Sequence, residues 1–238
     1  MMPNLSRTHK FFLGTCLIVF IGHTALELTG VIGGLKFFLG LKPSFDVTLI
    51  WSWITYPFVE TQLLSLVFNG LAFWWIGSEL ESRWGQGIYL KFLFALHILT
   101  TLLAWGVLGL MANSGLSLGP LTLAGLAGIV MGLMVAYAQL YPDRQFLMLL
   151  MFPLKAKVFL AILVGMEIYF ALVSRQFASL VHLIAMGISW LLMRYQTHLD
   201  WYFRPRANPL TQLRMQQKLR SSHLKIVKTD EDEPPRYH

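Results

Sequence analysis

Cysteine is all but missing: Cys16 stands alone in 238 residues. No disulfide can close within the chain, and a metal site built on thiolates is excluded. Charge is scarce too. Asp, Glu, Lys and Arg make up 13% of the sequence, against about 25% in an ordinary soluble domain. Hydrophobic residues make up 55%, and the mean hydropathy is +0.57. That balance points to a membrane protein. Acid is scarcer than base, 12 residues against 19, for a net charge of +7. Much of the excess lies between Trp201 and His238, where eight Lys or Arg accompany four acids clustered at Asp230–Glu233. The tail has no aromatic platform or fold signature of a nucleic-acid binder, so no nucleic acid is expected as a partner. Beside a bilayer, its basic part would be drawn to anionic lipid. A short helix near Pro209–Arg220, then disorder, is the expectation for it.

Charges also leave gaps long enough to cross a bilayer, which takes roughly 20 apolar residues. Six gaps stand out: Phe11–Gly34, Thr61–Ile76, Phe92–Ala112, Leu121–Leu140, Val158–Val173 and Phe177–Met193. Arg7 and Lys10, then Arg83 and Lys91, then Arg144, Lys155 and Lys157, then Arg194 and the tail fall in alternate connections. Basic connections belong on the cytoplasmic side, which predicts six spans with both termini cytoplasmic. The fold class is thus an all-α membrane protein. Residues 1–10 form a cytoplasmic N-terminus, 11–195 a six-span domain, and 196–238 a basic, partly disordered cytoplasmic tail. A short chain with no targeting region suits a bacterial inner membrane. The segment "LKPSFDVTLIWSWITYPF", between spans one and two, is too polar to cross and too apolar to be a free loop. It is expected in the interface, where Trp and Tyr rings prefer to sit.

Polar groups inside the spans are costly and often functional. Asn69, His97, Glu167 and His182 fall in spans two, three, five and six, and His23 and Glu27 are four apart in span one. An interhelical hydrogen bond is the plain reading of Asn69, His97 and His182 taken singly. Glu167 needs a partner or a proton. A transporter built on Glu167 and His97 would need more polar residues along one path than the spans hold, and no inverted repeat is visible. Span four is the opposite: "TLAGLAGIVMGL" has Gly125, Gly128 and Gly132 three and four apart, a small-residue face suited to close helix approach.

Taken together, these pieces resemble the rhomboid family. "FVETQLLSLVFNGLAFWWIGSELESRWG" is similar to the family's second-span signature through Asn69, Gly77, Glu81 and Gly85. "GLAGIVMGLMVAYAQLYPDR" resembles the span that carries its G-x-S-G, and "VHLIA" the span with its catalytic histidine. Trp51–Ser52 falls where the family often has Trp-Arg. The resemblance covers about residues 45–195. It implies a six-helix bundle with a partly interfacial loop between helices 1 and 2. It also implies the chemistry of an intramembrane serine protease without a cofactor: a serine attacks, a histidine takes its proton, and span-two donors stabilise the oxyanion.

Position by position, that chemistry is depleted. His182 keeps the place of the base and Asn69 that of an oxyanion donor. Ala127 stands at the nucleophile, where the serine is lost. Ser65 replaces the oxyanion histidine, Glu60 a histidine nine residues before the asparagine, Met131 a stacking aromatic, and Ser52 the arginine. Ala185 stands where a glycine is common. A single laboratory Ser-to-Ala change would not remove this supporting shell. The resemblance therefore implies a non-proteolytic pseudoprotease that holds transmembrane helices of client proteins. The alternatives are an active endopeptidase, with Ser65 as the one candidate nucleophile near the dyad, or an inactivated form of such an enzyme. Neither the client nor the oligomeric state is legible.

Overall fold

The computed structural model describes residues 5–30, 34–42, 51–113, 122–148 and 152–196. Its elements in order are α1 (Arg7–Leu28), α2 (Gly34–Leu39), α3 (Ser52–Thr55), a 3-10 turn at Tyr56–Phe58, α4 (Leu63–Trp84), α5 (Gln86–Asn113), α6 (Ala127–Leu140), β1 (Gln145–Met148), β2 (Phe152–Lys155), α7 (Ala156–Leu172) and α8 (Phe177–Gln196). The backbone divides into units Met1–Leu199 and Asp200–His238. The expected tail helix and disorder lie outside the described residues.

Each charge-poor gap corresponds to one helix, with ends set by capping rather than by the last apolar residue. α1 begins before Phe11 because Ser6 caps it, its hydroxyl accepting from the His9 N–H at 3.4 Å. It ends at Leu28, not Gly34, where Gly30 takes a left-handed φ of +87°. α4 runs eight residues past Ile76. Glu79 and Glu81 stay helical because each carboxylate finds a partner, and Gly85 (φ +81°) closes the helix with its N–H on the Glu81 carbonyl at 2.8 Å. Among the described residues, Arg7–Leu28, Leu63–Trp84, Gln86–Val107 and Phe177–Tyr195 are long and apolar enough to cross a membrane, and Ala127–Leu140 is a shorter apolar helix. The outer surface agrees: Phe11, Leu28, Phe68, Phe94 and Leu172 are among many large apolar side chains left exposed. The chain is a predominantly helical integral membrane protein.

Two expectations are corrected. The helix of the fourth span starts later than Leu121. Residues 122–126 are irregular, and α6 begins at Ala127. Gly125 therefore does not share a helix face with Gly128 and Gly132: its φ is +106°, outside the helical region. The second concerns the connection between α6 and α7: it holds a two-stranded antiparallel ribbon, Gln145 opposite Lys155 through Met148 opposite Phe152, in a chain that is otherwise mostly helical, as an all-α class implies. Short strands of this kind have no period distinct from an apolar run.

Of the expected interfacial segment, residues 51–58 are among those described. Trp51 Nε1 donates to the Phe38 carbonyl at 3.0 Å, and Tyr56, Pro57, Val59 and Glu60 are buried. α6 is the central helix: Ile129, Val130 and Gly132–Ala138 are all buried, packed by α4, α7 and α8. In lipid, no hydrophobic gain drives helices together, so close packing and hydrogen bonds must hold them. Ser189 of α8 supplies one such bond, donating to the Gly132 carbonyl at 2.6 Å.

Candidate functional site

The approach to α6 is where the site residues meet. A bridge pairs Leu123 with Leu41, N–H to carbonyl both ways at 2.8 and 2.9 Å. The Gly125 N–H donates to the Tyr56 carbonyl at 2.9 Å, and the Leu126 N–H to Glu60 Oε1 at 2.9 Å. Irregular backbone at membrane depth is tolerable only where protein satisfies its polar groups, and here the interfacial segment does so. Asn69, one and a half turns into α4, donates its Nδ2–H to the same Glu60 oxygen at 3.0 Å. Glu60 is 4% exposed.

On the other side of α6, His182 Nδ1 lies 2.9 Å from Glu167 Oε1. The sequence left Glu167 without a partner, and the fold supplies one from α8. The contact fits Nδ1 as a donor to the carboxylate, an arrangement that would leave Nε2 to act as a base. The ring edge sits against α6: a Cβ at Gly128 would be 3.8 Å from His182 Cδ2. At the first residue of α6 the side chain is the Ala127 methyl, which has no atom able to attack a carbonyl. Ser65 and His182 share no hydrogen bond among the described residues.

Other expected residues fall elsewhere. His97 packs at a tilt against Tyr56 (ring centroids 5.3 Å, planes 39° apart) and lines, with Phe12, Pro57 and Phe94, an apolar cavity of about 300 Å³. His23 and Glu27 approach to 3.6 Å, an ion-pair distance too long for a hydrogen bond. Ser52 is buried. At the opposite end of α4, Glu81 accepts from Ser6 Oγ at 2.6 Å and lies 3.2 Å from His9 Nδ1. His9 Nε2 is 3.3 Å from the Tyr89 hydroxyl. A Cβ on Gly77 would strike that hydroxyl, so the Gly77–Glu81–Gly85 pattern is the seat on which α1, α4 and α5 join. Sequence reading missed Ser6, His9 and Tyr89 because their partners are 75 to 80 residues away.

An irregular start to an apolar helix, held between an interfacial segment, an asparagine on the preceding long helix and a histidine on the last, is a specific arrangement. The family described as eukaryotic integral membrane protein (DUF1751) matches residues 10–207. Rhomboid-like protein 19 of Arabidopsis thaliana is 27% identical over 199 residues, 82% of this chain and 62% of that protein. Rhomboid protease GlpG of Serratia proteamaculans is 27% identical over 148 residues, 62% of this chain and 49% of that protein. The chain belongs to the rhomboid-like family. It spans less than two thirds of the length of either relative. The expected bacterial inner membrane draws no support from the eukaryotic description of the matching rhomboid-like family.

Proposed function

We propose that this rhomboid-like protein is a pseudoprotease that binds transmembrane helices of client proteins without cutting them. One observation carries this: beside a histidine hydrogen-bonded to Glu167, the first residue of α6 is Ala127. A base with nothing to deprotonate performs no acyl transfer. In this reading α1, α4, α5, α6, α7 and α8 make six crossings with both termini cytoplasmic, and lipid surrounds them. α6, at 14 residues about 21 Å long, falls short of the roughly 30 Å hydrocarbon core. The bonded segment before it completes the crossing. α4 and α7 flank α6 and make at most marginal contact with each other. Their outward residues, such as Val67 and Phe68 on α4 and Met166 and Tyr169 on α7, are apolar and exposed. A client helix entering between them meets Ala127 and the Glu167–His182 pair.

The test is reconstitution of the full chain in lipid vesicles with a fluorescent model transmembrane helix containing a helix-breaking centre. Energy transfer without any cleavage product is the expected result. A cleavage product, or fluorophosphonate labelling that maps to Ser65, establishes the endopeptidase instead. Absence of energy transfer removes the client-binding function.

A further inference from the structure

We infer that Glu60 is a resident anion, its carboxylate filling the anion-binding position at the start of α6. Two donors from different parts of the chain converge on one oxygen: Asn69 Nδ2 at 3.0 Å and the Leu126 N–H at 2.9 Å. The Leu126 amide belongs to the N-terminal end of a 14-residue helix, where unsatisfied N–H groups and the helix dipole favour negative charge. A buried carboxylate is costly unless it is bonded, and at 4% exposure Glu60 is bonded by these two donors. Gly125 lets the backbone close over it. Its φ of +106° suits glycine, and a Cβ there would stand 3.3 Å from Glu60 Oε1. The Gly125 N–H on the Tyr56 carbonyl pins the segment that carries Glu60.

The consequence is a second block on proteolysis, independent of the missing nucleophile. Acyl transfer needs hydrogen-bond donors aimed at the oxygen on which charge develops. Here two of the donors near Ala127, the Leu126 N–H and one Asn69 N–H, are already taken, and an oxyanion placed beside them would meet a like charge. The filled position rests on the non-proteolytic reading only in treating the start of α6 as the former nucleophile site.

The parent for the experiment is the full-length Ala127→Ser/Ser65→His protein, which restores a hydroxyl beside His182 and a long donor on α4. With a fluorophosphonate probe it is expected to label at background. Adding Glu60→Ala should raise labelling at least tenfold, and Glu60→Gln, which removes the charge but keeps an acceptor oxygen in place, should raise it less. Labelling of the parent itself would overturn the filled position, as would a Glu60→Ala protein that keeps the parent's Tm and stays unlabelled. If Glu60→Ala does not fold, a double-mutant cycle in the unaltered chain decides. Glu60→Gln and Asn69→Ala together should lower Tm by less than the two separately, because both weaken one bond. Strict additivity would overturn the inference. Cleavage by the unaltered chain is a different failure: it removes the proposed function, whereas labelling of the parent removes only the resident anion.

Discussion

At Gly132, α6 meets α5 on one side and α8 on the other. A Cβ there would lie 2.6 and 2.9 Å from the two methyls of Leu96, and Leu96 is itself fully buried. On the other side, the Gly132 carbonyl accepts from Ser189. Overpacking of a tight core costs about 1–3 kcal/mol, so Gly132→Ala should lower Tm in detergent by that amount of stability. Leu96→Ala removes the atoms that collide. The double variant should therefore be less destabilised than the sum of the singles, read by thermal unfolding; an additive sum would mean that the helices shift apart freely. The same steric logic applies to Gly77 beneath the Tyr89 hydroxyl. Both glycines could be picked out in the sequence as small residues in apolar runs. What each one faces could not be, since Leu96 and Tyr89 belong to another helix.

At the scale of elements, apolar runs predict helices well because a span must satisfy its own backbone. They predict ends poorly, because caps and distant partners decide those. α4 continues through Glu79 and Glu81 since Arg144 pairs with the first and Ser6 bonds the second. α6 starts six residues late since Tyr56, Glu60 and Leu41 hold the preceding backbone in place of helical bonds. Glu60 was legible only as a lost histidine, and Glu167 only as an unpaired acid; their partners come from other helices. The β1–β2 ribbon is tied at its base by Asp143, whose carboxylate lies 3.0 Å from Lys157 and 3.4 Å from Lys155. Lys157, and then Lys155, hold that carboxyl below its ordinary value. A lowered carboxyl stabilises the fold above the unfolded value, about 3.9, and loses that contribution as pH falls through the native one. Asp143 is fully exposed, so the effect is small and screened by salt. Asp143→Asn should lower Tm slightly at pH 7 in low salt. The difference should vanish near pH 2 and in about 1 M salt; a gap that persists at both would assign Asp143 a role other than charge.

For the whole molecule, the question is whether α5 and α6 both cross. α6 is too short to span alone, yet its buried residues run along nearly its whole length, and the irregular segment before it is bonded to protein at Leu123, Gly125 and Leu126. A helix that only dipped into the bilayer would return its C-terminal end to the side it came from. The charges argue otherwise: Arg83 and Lys91 before α5, and Arg144, Lys155 and Lys157 after α6, are grouped as basic connections of one side. Two crossings between them satisfy that grouping and one does not. Cys16 is buried, so single cysteines can be read over a low background with a membrane-impermeant maleimide in sealed vesicles. Ser82→Cys and Gln145→Cys should react from the same side, and Gln62→Cys and Gln176→Cys from the other. If Gln145 reacted from the side of Gln62, either α5 or α6 would fail to cross. The six-crossing bundle would then give way to a five-crossing one, with the Glu167–His182 pair approached from the opposite face of the membrane.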